Sequence, residues 1–170
     1  MKRSLILGLL FSLFTVYQGF AQDKAERPSP PETASVKVNG AEVAINYSSP
    51  GVKDRTIFGD LVPYGKVWRT GANEATTLTL GKSYMINGSE IPAGKYGLFT
   101  IPGEAEWTII INSVWDQWGA YNYDSSKDVL RFNVKAEKTK ELIERMKFEI
   151  SEKGKVTLMW ENTKVSFKMD

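Results

Sequence analysis

The sequence predicts an all-β fold, an antiparallel β-sandwich or flattened barrel of about ten strands with two long loops. Three observations predict it. From Ala34 onward, short segments rich in Val, Ile, Thr and aromatic residues alternate apolar with polar positions. Gly, Pro, Asn and Asp separate these segments at close spacing, and Asn-Gly pairs, the strongest short hairpin signal, occur among them. No helical crossover separates them, which implies antiparallel sheets.

In chain order, the first element is a leader over residues 1–21. Lys2 and Arg3 precede an apolar run from Leu5 to Phe14 that continues to Val16, and the small residues Gly19 and Ala21 close it. That is the layout of a secretory signal cleaved after Ala21. The run is shorter than the roughly 20 apolar residues that span a bilayer, so no membrane span is expected once the leader is removed. No cysteine follows it for lipid attachment. Residues 22–33 carry Pro28, Pro30 and Pro31 among charged and small residues, a composition expected of an extended, solvated tether.

Residues 34–170 form the β domain. Val36 and Val38, then Asn39-Gly40, then Val43, Ile45 and Tyr47 predict a hairpin. A strand near Ala75 to Leu80 precedes a second hairpin, Tyr84 to Ile86 and Glu90-Ile91 around Asn87-Gly88. Further strands are expected at Lys95 to Ile101, Trp107 to Asn112, Val129 to Lys135, Met146 to Ile150, Val156 to Trp160 and Val165 to Met169. Only Lys138 to Met146, with Glu141, Leu142, Ile143 and Glu144 together, suggests a helix of a turn or two. Ser48 to Asn73 and Ser113 to Lys127 break the alternation and predict the two long loops, where binding residues of a sheet scaffold tend to sit.

Composition closes several chemistries. The chain has 22 Lys and Arg against 20 Asp and Glu. Removing the leader takes Lys2 and Arg3 with it, so the mature chain is balanced and has no overall field to attract nucleic acid. With no cysteine, no disulfide supports the fold. With no histidine, Ser-His-Asp and Cys-His arrangements are excluded, as are the usual His and Cys zinc sites. No metal, cofactor or catalytic motif is expected. Gly81-Lys82-Ser83 has Thr76 where a phosphate loop needs glycine, and Asp124 to Asp128 lacks calcium-loop spacing.

Longer motifs carry a family likeness. Tyr47-Ser48-Ser49-Pro50-Gly51-Val52-Lys53-Asp54-Arg55-Thr56-Ile57-Phe58-Gly59 and Pro63-Tyr64-Gly65-Lys66-Val67-Trp68-Arg69-Thr70-Gly71-Ala72-Asn73-Glu74-Ala75-Thr76 are the longest. With Pro92 to Tyr96, Leu98 to Pro102 and Trp118 to Tyr123, they resemble an uncharacterised bacterial family, domain of unknown function 2911. The resemblance implies a bacterial exported protein, periplasmic in a Gram-negative cell. It supplies no functional residues.

Candidate binding residues come from the two loops. In the first, Arg69 offers a guanidinium, Asn73 and Glu74 offer hydrogen bonds, and Trp68 offers a flat face. The alternative is that Arg69 pairs with Glu74 while Trp68 packs. In the second, Trp115, Trp118, Tyr121 and Tyr123 stand among Asp116, Gln117, Asn122 and Asp124, a mixture suited to sugar rings or equally to edge packing. Glu74, Asp116 and Asp124 could act as a carboxylate pair if the loops meet. Three functions follow as expectations: an extracytoplasmic module for a small-molecule or glycan ligand, an envelope protein that binds a protein partner, and a carboxylate-only hydrolase.

Overall fold

A computed structural model describes residues 27–170; the leader and residues 22–26 of the expected tether lie outside them. The first hairpin joins β1 (Pro31–Val38) to β2 (Ala41–Ser48). Its register brings Val38 opposite Ala41, leaving Asn39 and Gly40 as a two-residue loop at φ 48° and 84°. Positive φ at both positions defines the type I′ turn that matches strand twist, and this explains the Asn-Gly pair. Asn87 and Gly88, at φ 48° and 80°, repeat it between β4 (Tyr84–Ile86) and β5 (Ser89–Ile91). Tyr84 ties the two hairpins together, donating its hydroxyl to Val38 O at 2.7 Å.

The remaining strands are β3 (Thr77–Leu80), β6 (Gly94–Ile101), β7 (Glu106–Asn112), β8 (Asp128–Ile150) and β9 (Lys155–Lys168). All ladders between these strands are antiparallel, and the main sheet has seven strands in the order β1-β2-β3-β6-β7-β8-β9. The β4-β5 hairpin forms the second sheet and docks on the end of β9, where Met85 and Asp170 exchange backbone hydrogen bonds at 3.0 Å. The main sheet curls. Beyond β2 the chain meets the second half of β8, with Val52 N donating to Glu144 O at 2.9 Å and Met146 N to Pro50 O at 3.0 Å.

Two expectations are corrected. Lys138 to Met146 is not helical: it is the middle of β8, a strand that pairs with β7 in its first part and β9 in its second. Its helix-forming residues cannot nucleate so short a helix alone, and cross-strand bonds at Glu144 and Met146 satisfy the backbone instead. Register shifts between Lys138 and Lys147 absorb the irregular pattern, so the segments expected as separate strands merge into β8 and β9. The Pro-rich tether is likewise partly incorporated. Pro31, Glu32 and Thr33 pair with β2 from the edge of the sheet, the position where proline is tolerated.

The core fills the curl. Phe58 meets Trp107 edge-on at 4.9 Å and Trp160 at 5.9 Å, while Trp68 and Trp160 stack at 5.9 Å with an interplanar angle of 18°. Two of these rings come from the first long loop. That loop is therefore structural as well as exposed, and Trp68 pairs with Thr100 through backbone bonds of 2.8 and 3.0 Å. No helix among the described residues is long and apolar enough to cross a membrane.

Candidate functional site: a groove where the two loops meet

The two loops come together. Ala75 N donates to Gln117 O at 3.0 Å and Gly119 N to Asn73 O at 3.1 Å, so Glu74 and Trp118 face each other in a short antiparallel bridge. Local backbone choices make this contact. Thr70 and Asn73 adopt φ 57° and 56°, a conformation that costs a β-branched residue such as Thr70 about 1–3 kcal/mol. Thr70 is held there by burial, its hydroxyl 3.2 Å from that of Thr100 and its carbonyl accepting from Thr76 Oγ1 at 2.8 Å. On the facing side, Gly97 lets the second loop cross the sheet: a Cβ there would lie 2.7 Å from Val114 O.

Beside the bridge lies a groove of about 270 Å³, lined by β2, β3, β6 and both loops. Its aromatic element is Trp115, 38% exposed, with Lys95 Nζ held 3.8 Å from the ring centroid. Its carboxylates are Glu74 and Asp116. Two of its polar groups are buried without a hydrogen-bond partner, Thr77 Oγ1 and Gln117 Oε1. Gln117 Nε2 donates to Val114 O at 3.1 Å, which fixes the amide.

The segment before β1 packs over the loop junction. Arg27 Nη1 contacts both oxygens of Glu74 at 2.9 Å, and its guanidinium lies 5.9 Å from the Trp118 ring centroid. Asn73 Nδ2 donates to Ser29 O at 3.1 Å, and Arg145 Nη1 to Pro28 O at 2.9 Å. The ion pair Glu74 makes here is thus with Arg27, which the sequence reading passed over.

The eight loop residues singled out from sequence divide. Glu74 and Trp115 line the groove, and Trp118 borders it through the bridge. Trp68 presents no open face: it is 8% exposed, stacked in the core, with Nε1 donating to Gly71 O at 3.0 Å. Asn73 anchors the N-terminal segment. Tyr123 packs on Phe99 at 5.1 Å and donates to Asp128 Oδ2 at 2.6 Å, so its hydroxyl is engaged within the loop. Burial and the Asp128 carboxylate push its pKa up. Tyr121 is 85% exposed outside the groove. Arg69 is half-buried with Nε unpartnered, and desolvation holds its pKa below the usual value while nearby Tyr121 opposes that shift.

Lys95, Thr77, Asn46 and Tyr47 complete the groove and were not among the candidates. They sit on regular strands, where alternation marks a polar residue as outward-facing but says nothing of what crosses above it. Gly97, a glycine inside a strand, was the available signal of a close backbone approach.

Of the three acids named for carboxylate chemistry, Glu74 and Asp116 line the groove and Asp124 does not. Asp124 caps the 3₁₀ turn Ser125–Lys127, accepting from Ser126 N at 2.8 Å, and that bond lowers its pKa. A general acid requires the opposite shift. Among the described residues, no cluster of acidic side chains could hold a metal ion.

The sequence pattern of the family described as protein of unknown function DUF2911 matches residues 29–169, and the chain belongs to that family. No curated protein and no solved structure matches it.

Proposed function

We propose that this protein is an exported, extracytoplasmic binding module whose groove takes a small polar ligand of the sugar type. One observation carries the reading: the groove sets the Trp115 ring, 38% exposed, beside the polar side chains of Asn46, Lys95, Asp116 and Gln117. An indole beside fixed polar groups suits a ring with one apolar face and a polar rim. The volume, about 270 Å³, admits one or two sugar units as an open, shallow site.

The test is a thermal-shift and calorimetric screen of the mature protein against neutral, amino and acidic sugars, with Trp115→Ala as the control. A ligand present at about 100 times its Kd stabilises by about 2.7 kcal/mol. Stabilisation in the wild type and its loss in Trp115→Ala is the expected result. If no sugar stabilises the wild type, the reading fails. Export predicts a mature protein beginning at Gln22, which intact mass measurement of the envelope fraction checks.

A second reading has its own support. Trp118 and Tyr121, 55% and 85% exposed on the second loop, project apolar surface beyond the groove. Such residues suit a protein partner in the envelope. Trp118→Ala with Tyr121→Ala separates the two: a partner-binding role loses crosslinking to an envelope protein while sugar affinity stays unchanged.

A further inference from the structure

We propose that the face where the two loops join is a recognition site for an arginine followed by a short proline-containing peptide, and that the chain's own Arg27 to Pro30 fills it as an internal ligand. The proposal rests on the second reading above, specifying the chemistry of the protein partner, and stands apart from what the groove takes. Recognition begins at the side chain. Arg27 Nη1 reaches both oxygens of Glu74 at 2.9 Å while the guanidinium lies 5.9 Å from the Trp118 ring centroid, so a carboxylate and an aromatic face together define the cation site. The main chain that follows is read as well. Pro28 O accepts from Arg145 Nη1 at 2.9 Å, Ser29 O from Asn73 Nδ2 at 3.1 Å and Pro30 O from Ser49 N at 2.8 Å, so three successive carbonyls each meet a donor. Arg145 is itself steadied by donating to Ser49 O at 3.0 Å.

All of these contacts are of a kind that a separate peptide makes equally well, because none depends on the segment being joined to β1. Pro28 and Pro30 carry no N–H and have φ fixed by their rings, so such a segment brings few donors that need partners and loses little freedom on docking. The ion pair is open to exchange. The side chains of Arg27 and Glu74 remain 20% and 40% exposed, within reach of solvent and of a competing cation. The surface also continues past the segment that occupies it. Trp118 is 55% exposed even with Arg27 against its ring, and Tyr121 on the same loop is 85% exposed. Holding down a chain end leaves that aromatic surface unused, whereas a longer partner carrying the same arginine would cover it.

The experiment titrates the full mature chain at low salt and follows the Trp118 indole N–H resonance, assigned through Trp118→Phe. The probes are the α-acetylated amides of arginine and lysine and the peptide acetyl-Arg-Pro-Ser-Pro-amide. In the wild type the internal segment stands at an effective concentration on the order of millimolar, so the probes should shift the resonance little. In Arg27→Ala, whose folding is checked by circular dichroism, the arginine probe should bind saturably and at least about tenfold more tightly than to the wild type. It should bind several-fold more tightly than the lysine probe, because a planar guanidinium stacks on the indole. Adding Glu74→Gln should abolish the binding. Loosening the segment with Arg27→Gly, Pro28→Gly and Pro30→Gly in one chain should let the tetrapeptide bind more tightly than the arginine probe, through the carbonyl contacts. No saturable shift in Arg27→Ala, equal binding to the wild type, persistence with Glu74→Gln, lysine binding as well as arginine, or a tetrapeptide no tighter than the arginine probe overturns the proposal. The partner reading is then still decided by the crosslinking loss in Trp118→Ala with Tyr121→Ala, which does not depend on Arg27.

Discussion

Thr77→Val tests whether the sheet beneath the groove carries an unmet buried hydroxyl. Thr77 lies on β3, paired with Asn46 on one side and Gly97 on the other, and its side chain is 7% exposed with Oγ1 unpartnered. Valine keeps the β-branched shape and replaces the hydroxyl with a methyl group, so the strand geometry is retained. The cost being removed is that of a buried polar group without a partner, about 1–3 kcal/mol. With an unfolding entropy of about 2.1 cal/mol/K per residue over some 140 residues, that gain raises Tm by roughly 3–10 °C. Differential scanning calorimetry and urea titration measure it, with Thr77→Ser as a comparison that keeps the hydroxyl and loses the methyl. A Thr77→Val protein that is less stable than the wild type would show that the hydroxyl is satisfied in the folded protein and would refute the reasoning.

Other perturbations have separate expected outcomes. Trp160→Ala removes a ring that touches both Phe58 and Trp68 and should cost about 3–5 kcal/mol in urea titration, whereas Trp118→Ala should stay within about 0.5 kcal/mol. Gly88→Ala, at φ 80° with open space for a Cβ, should cost about 1–2 kcal/mol, and Gly154→Ala, at φ 79°, should cost clearly more because its Cβ would lie 2.0 Å from Met169 O. With no histidine, stability should be level from pH 6 to 8. Burial raises the pKa of Tyr47 and Tyr84 above 10.0, so their contribution is complete below that pH and is lost as pH rises through the raised values. Tyr84→Phe should therefore flatten part of the alkaline decline in a pH series of urea midpoints. The pKa of Asp124 is lowered from 3.8 by its bond from Ser126 N; its contribution is present above 3.8 and disappears as pH falls further, and Asp124→Ala should remove that acid-side dependence.

Local signals made most of the fold legible. Period-two alternation placed β1 to β7, and the Asn-Gly pairs located both tight hairpins to the residue. The failures share a cause. Lys138 to Met146 contains residues that prefer helix, and only its pairing with β9 and with the chain after β2 makes it strand. The loops were recognised as loops, yet Trp68 was offered to a ligand because nothing local distinguishes an indole that turns inward from one that stays out. Its burial depends on Phe58 of the same loop and on Trp107 and Trp160, which are distant in sequence. The groove was half legible for the same reason: Trp115 and Glu74 belong to the loops, but Lys95 and Thr77 become groove residues only when the second loop crosses Gly97.

Sequences that fold well satisfy their local rules nearly everywhere, and the places where they do not are informative. Among the described residues, four buried side-chain nitrogen or oxygen atoms lack partners, on Arg69, Thr77, Gln117 and Trp160. Trp160 belongs to the aromatic core. The other three lie on the first loop, the strand that follows it and the second loop, and the left-handed residues Thr70 and Asn73 fall in the same stretch. If folding alone had shaped this region, the cheapest corrections were small: valine at 77, an aliphatic residue at 69, glycine at 70 and 73. Instead, an unmet hydroxyl, an unmet amide oxygen, a half-buried guanidinium and the left-handed Thr70 gather where the loops join, while the far side departs from the rules at Glu161, with φ 53° in β9, and at Trp160 Nε1. Three of the four unmet groups fall at that one junction, which makes it, rather than the far side of the sheet, the region whose substitution by residues that satisfy the local rules is expected to raise stability.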